Sequence, residues 1–222
     1  MDDIVDLFNL KALKEEYTYN FKWMGRPIIQ YPQDMIAMQE LIWEVKPDLI
    51  IEAGIAHGGS LIYYASILEL IGEGGHILGI DIDIRKHNRD LIEAHPMMKR
   101  ISLIEGSSVS KEIVDQVKKI AASKKRILVS LDSNHTHDHV LAELNLYAPL
   151  VSKDSYCVVF DTIVEDLPAD YDWSPRTWGK GNNPKTAVQE FLKKHDEFMI
   201  DKSMNDKLLI SVAPDGYLKR IK

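Results

Sequence analysis

Four carboxylates sit at the ends of short apolar runs. Glu52, Asp81, Asp132 and Asp161 close "DLIIEAG" (48–54), "HILGIDID" (76–83), "RILVSLDS" (126–133) and "SYCVVFDT" (155–162). Near-continuous Ile, Leu and Val over such lengths mark strands covered on both faces, as in parallel sheets. An ionised carboxylate is costly to bury without a partner. A single acid there can cap a neighbouring helix. Four on one rim point to a ligand, because open parallel sheets bind ligands outside the carboxyl ends of their strands.

The segment "LDSNHTHDH" adds His135, His137 and His139. Alternate histidines could hold zinc on a strand. This segment instead leaves a strand and enters a helix, where alternate residues do not share a face. His137 and His139 therefore read as helix-start residues, and Asp138 complements the helix dipole. His135 reads as a polar loop or cap residue, or as a proton acceptor of near-neutral pKa.

After Glu52 comes "AGIAHGGS". Glycines in such a turn let a ligand approach the backbone. The spacing is not GxGxxG, and no GxxxxGK[ST] occurs, which weakens a pyrophosphate or P-loop reading. Asp81, at the end of the next strand, can accept both hydroxyls of a ribose. Glu52 would repel a phosphate and tolerate a cation. Electrostatics and strand order thus point to S-adenosylmethionine (SAM), a nucleoside bearing a sulfonium. His57 reads equally as a SAM contact or as a turn residue.

The elements that must position these groups alternate along the chain. A fifth strand is "RISLIEGS" (100–107), and helical patterns cover 34–45, 60–71, 89–95, 111–123, 139–146 and 184–195. The last follows Asn183 with Pro184, a helix-start signal. Alternation predicts an α/β fold, a mostly parallel sheet with helices on both faces. "KLLISVAPDGYLKRIK" predicts a closing antiparallel hairpin around Pro-Asp-Gly. Residues 1–46 read as an N-terminal helical segment of the same unit, and 47–222 as the ligand-binding domain. Residues 165–183 read as a long functional loop. Trp173 and Trp178 there could stack on a sugar ring, with Arg176 and Lys180 suited to a phosphate- or nucleotide-linked acceptor. The bland reading is a lid packed by its own tryptophans.

Bulk properties narrow the class. Of 222 residues, 45% are hydrophobic and 27% charged, ordinary for a soluble globular chain. A net charge of -7 argues against nucleic acid as a partner. One cysteine, Cys157, in an apolar run fits a reducing compartment and a buried inert thiol. The start "MDDIVDLFNL" has no basic leader, and no run reaches the ~20 apolar residues of a membrane span. A cytoplasmic protein is expected.

Several stretches together resemble one family. They are "NFKWMGRPIIQYPQDM", "EAGIAHGGSLIYYAS", "GIDIDIRKHN", "LIEGSS", "SLDSNHTHDHVLAEL", "GNNPKTAVQEFL" and "GYLKRI". In order and spacing they are similar to the SAM-dependent methyltransferases named for cephalosporin hydroxylase and rhamnosyl O-methyltransferase, from about residue 17 to 222. The resemblance implies a Rossmann-like class I methyltransferase fold. It implies O-methylation of a sugar or small polar metabolite, in polysaccharide or secondary-metabolite biosynthesis, rather than hydroxylation. It places Glu52, Gly54, His57, Gly58 and Ser60 around the methionine part of SAM, Asp81 at the ribose, and Gly106, Ser107 and Ser108 at the adenine. Asp132 belongs to both the cofactor pocket and a metal site. Relatives acting on macrolide sugars use Mg2+ held by three acids. Asp132 and Asp161 match two of these, and the third position is Phe160, which cannot coordinate. Magnesium accepts few protein oxygens and keeps waters, so two carboxylates could suffice. A catalytic histidine in those relatives stands three residues after the first metal acid, as His135 does after Asp132. Tyr31, Pro32 and Asp34 match a stretch that would wall the acceptor pocket. Phe160 also keeps open a SAM-binding sensor or partner subunit without turnover. An NAD-dependent oxidoreductase is disfavoured by the glycine spacing. A homo-oligomer built through the N-terminal segment is a further expectation.

Overall fold

The chain enters through helix α1 (Asp2–Lys14), a two-stranded ribbon of β1 (Lys22–Trp23) and β2 (Arg26–Pro27), and helix α2 (Pro32–Val45). Strand and helix then alternate as β3 (Leu49–Ala53), α3 (Gly59–Ile71), β4 (His76–Asp81), α4 (Lys86–Glu93), β5 (Ile101–Glu105), α5 (Lys111–Ala121), β6 (Ile127–Leu131), α6 (His137–Tyr147) and β7 (Tyr156–Val159). A long segment leads to α7 (Pro184–Leu192), β8 (Phe198–Ile200), α8 (Lys202–Leu208) and β9 (Tyr217–Arg220). The structure, a computed structural model, describes residues 2–222.

Seven strands form one sheet in the order β5-β4-β3-β6-β7-β9-β8. The first five are parallel, and β9 runs antiparallel to both β7 and β8. Strand order reverses between β3 and β6, which makes their carboxyl ends the switch point where such sheets bind ligands. Side chains alternate across the sheet. Leu49, Ile51 and Ala53 join the core beneath α5, α6 and α7, while Ile50 joins the opposite core with α2 and α3. That second core also holds Ile28, Tyr31, Met38, Leu41 and Ile42 from the N-terminal segment.

The closing antiparallel pair is present, with a different first strand from the one expected around Pro-Asp-Gly. Tyr217–Arg220 pairs with Phe198–Ile200, and α8 lies between them. Segment 208–212 is diverted because the Asp34 carboxylate on α2 accepts the Val212 amide at 2.9 Å. An amide taken by a side chain cannot serve a strand ladder.

Candidate active site

The glycine turn after β3 is pressed against the end of β6. Gly54 has φ +96°, and a Cβ there would stand 2.0 Å from the Asp132 carbonyl oxygen. Only glycine tolerates both conditions. The ladder runs on through Asp132 N to Ala53 O and Gly54 N to Ile80 O, each 2.8 Å. Asp81 Oδ2 accepts the Ile55 amide at 2.8 Å and the Ala56 amide at 3.3 Å, so this carboxylate pins the turn to β4. The ribbon closes the other side. Arg26 is buried and donates to the His57 carbonyl and, at 3.0 Å, to Asn88 Oδ1.

Two adjoining cavities open above these strand ends. The larger, about 340 Å³, is lined by Asp81, Ile82, Ser107, Ser108, His139 and Trp178, among others. The smaller, about 40 Å³, is lined by Gln30, His57 and Ser60. Both share Gly54, Ala56 and Asp132, so they form one cleft crossing the switch point. The larger volume lies in the range of small-molecule sites.

Asp132, His135 and Asp161 each offer a ligand atom, all within 4.8 Å of one another. His135 Nε2 lies 3.2 Å from Asp161 Oδ2. Burial and then the charge of Asp161 hold the Asp132 carboxyl well above the usual carboxylate range. Asp161 reaches the rim in a left-handed conformation, φ 55° and ψ 23°, which is uncommon for a residue other than glycine. Its neighbour Phe160 turns into the core, 1% exposed. Two crowded carboxylates beside an imidazole make a donor set that a divalent cation fits, since its charge relieves their repulsion.

A model of the rhamnosyl O-methyltransferase/CmcI family matches residues 15–221. The chain belongs to this family. It is 30% identical over 223 residues to the rhamnosyl O-methyltransferase of Mycobacterium tuberculosis (strain ATCC 25618 / H37Rv), covering 94% of this chain and 85% of the relative. The Mycobacterium leprae (strain TN) protein of the same name is 30% identical over 200 residues, covering 89% and 82%. Among solved structures, the Mg–SAM form of CmcI superposes with a TM-score of 0.64 at 19% identity, over 92% of this chain and 78% of that one. A putative caffeoyl-CoA O-methyltransferase from Staphylococcus aureus gives 0.57 at 16% identity, over 88% and 84%. The fold is thus the Rossmann-like class I methyltransferase fold.

The predicted residues of this family member distribute unevenly. Gly54, His57, Ser60, Asp81, Ser107, Ser108 and Asp132 line the cleft. Glu52 does not. It lies under the turn, 1% exposed, with Oε2 lacking a partner. Burial pushes its carboxyl up to about 8, so it is neutral at pH 7 and presents no anion to a cationic ligand. Gly58 and Gly106 shape the turns from outside the lining, packed on Ile92 and Ile113. Asp34 and Tyr31 are buried and line neither of these two cavities. The Asp34 carboxylate is taken by Ser211 Oγ, Val212 N and Tyr217 Oη, and the Tyr31 hydroxyl faces Asn9.

The long loop lies over the rim. Trp178 packs edge-on against His135 with ring centres 4.9 Å apart, and the Arg176 guanidinium sits 5.8 Å from the ring centres of both Trp173 and Trp178. Glu165 anchors its base by accepting the Gly181 amide at 2.7 Å and Asn183 Nδ2 at 2.5 Å. Sequence reasoning missed Ile82, Ser133, Asn134 and His139 as lining residues. It also missed the buried Glu143, one turn after His139 on α6. That i, i+4 pair was the available signal.

Proposed function

We propose that the protein transfers the methyl group of SAM to a hydroxyl of a sugar or small polar metabolite. The cleft at the switch point carries this reading, because its two cavities meet at Gly54 and Asp132 beside the His135–Asp161 pair. The adenosine occupies the larger cavity, with Asp81 accepting ribose hydroxyls. The methionine part occupies the smaller, along His57 and Ser60. The sulfonium then falls near Asp132. The mycobacterial relatives' name, rhamnosyl O-methyltransferase, supports a sugar acceptor.

A hydroxyl is a weak nucleophile until its proton leaves. His135 takes that proton, and Asp161 stabilises the imidazolium. The hydroxyl oxygen attacks the methyl carbon as the carbon–sulfur bond breaks, giving a methyl ether and S-adenosylhomocysteine. Trp178 covers His135 and excludes water from that side. Asp132 and Asp161 would hold Mg2+, which would lower the hydroxyl pKa and orient neighbouring oxygens of the acceptor. The one cysteine, Cys157, is free and buried, in keeping with a reducing, cytoplasmic setting. Among the described residues no helix is long and apolar enough to cross a membrane.

The test is incubation with SAM, Mg2+ and a panel of free, nucleotide-linked and lipid-linked sugars, following S-adenosylhomocysteine. Acceptor-dependent release is expected. Tight SAM binding with no product across the panel would replace the enzyme by a SAM sensor, and absence of SAM binding would remove both.

A further inference from the structure

Glu143 has no role in the chemistry above, yet it occupies an expensive position. It has no exposed surface, and among the described residues no Lys or Arg pairs with it. Its Oε2 has no hydrogen-bond partner. Its Oε1 accepts from Ser108 Oγ at 2.5 Å and from Ser133 Oγ at 2.7 Å, and lies 3.2 Å from His139 Nε2. A carboxylate buried with one oxygen unpartnered and no cation beside it is costly.

The three groups gathered on that oxygen come from three places: the loops after β5 and β6, and the first turn of α6. All three line the larger cavity. A carboxylate only accepts, and a serine hydroxyl has one proton. Ser108 and Ser133 each commit theirs to Glu143, so only oxygen lone pairs remain for the cavity. His139 Nε2 lies between two acceptors, Ser108 Oγ at 3.1 Å and Glu143 Oε1. Nε2 therefore carries a proton and donates within this cluster. Tyr147 Oη donates to the Ser108 carbonyl at 2.5 Å and fixes the backbone there. One buried carboxylate thus sets the polarity of a whole wall.

We infer that Glu143 is a positioning residue that makes this wall accept hydrogen bonds, and so selects a 6-amino purine over a 6-oxo purine at the nucleoside end of the cofactor. This rests on the SAM reading of the cleft. A 6-amino group brings two N–H donors to the wall. A 6-oxo group brings an oxygen to oxygens and leaves both sides unpaired, which sites built on hydrogen bonds reject strongly.

Calorimetric titration with S-adenosylhomocysteine and with S-inosylhomocysteine tests it. The wild type is expected to bind the adenosine compound at least about tenfold more tightly. In Glu143→Gln the amide NH2 can donate to a serine and free its proton, so the ratio should fall toward one. Ser133→Ala keeps Glu143 in place, removes one acceptor and should lower the ratio in the same direction. A purely structural role for Glu143 would weaken both compounds together and leave the ratio unchanged. Equal affinities in the wild type, or an unchanged ratio in both variants, would overturn the inference alone. Failure of both compounds to bind the wild type would overturn the cofactor reading and the inference with it.

Discussion

At the scale of single residues, the carboxylates of the rim are distinguished by what surrounds them. Glu52 is sealed under the glycine turn and retains its proton up to about pH 8. An unfolded glutamate releases its proton near 4.5. Between those values the fold binds a proton that the unfolded chain has lost, so stability falls as pH rises and levels off above about 8. The effect amounts to at most on the order of 5 kcal/mol. Glu52→Gln should remove that slope in the ligand-free protein. Urea unfolding at pH 5 and pH 8 measures it, and parallel slopes for the two proteins would show that Glu52 is not the buried proton. His135 answers to activity instead. Removing a general base costs about 10²–10⁴-fold in rate. His135→Ala should therefore lose kcat by at least that lower figure, with S-adenosylhomocysteine affinity little changed. Unaltered turnover in the variant would move the base elsewhere.

At the scale of elements, strands and helices were legible because their signals are local. The apolar runs gave β3, β4, β6 and β7, and Asn183-Pro184 marked the start of α7, whose cap accepts the Thr186 amide. The partner of β9 was not legible. "KLLISV" carries the apolar content of a strand, while the tertiary claim of Asp34 on Val212 and Ser211 is invisible in spacing. The same claim holds the Asp34 carboxylate within the fold, outside the lining of both cavities. At the site, the turn and the acids were readable from their strand ends, whereas the wall around Glu143 depends on three loops meeting. Asp34 gives this scale its own prediction. It satisfies three donors at the junction of α2, the segment before β9, and β9 itself. Burial raises its pKa against the pull of those donors. Asp34→Ala leaves all three unpaired, each costing about 1–3 kcal/mol. A loss on the order of 3 kcal/mol or more is expected in denaturant unfolding. A loss under about 1 kcal/mol would mean that water replaces the carboxylate and that the junction is not closed.

At the scale of the whole molecule, the question is whether residues 1–46 are an attachment or part of the folding unit. The packing supports a single unit. Ile28, Tyr31, Met38, Leu41 and Ile42 share one core with Ile50, Leu61 and Tyr217. Trp23 Nε1 donates to Ser66 Oγ on α3 at 3.0 Å, and Lys207 on α8 pairs with Glu40 on α2. The segment also reaches the site, since Ile28 to Gln30 line the smaller cavity and a Cβ on Gly59 would meet the Pro27 carbonyl at 2.0 Å. Fully burying one such aliphatic side chain stabilises by about 1.5–3 kcal/mol. Losing five, about 7.5–15 kcal/mol, is comparable to the whole ~5–15 kcal/mol that holds a typical domain together. A chain beginning at residue 47 should therefore lack a cooperative thermal transition and dispersed amide resonances, although it keeps Asp81, Asp132, His135 and Asp161. Removing only residues 1–14 deletes α1, which contributes Ala12 and Phe8 to the same core, and should lower the melting temperature while leaving one cooperative transition. A folded chain from residue 47 with intact S-adenosylhomocysteine affinity would make the N-terminal segment a separable cover, and the smaller cavity a surface formed without it.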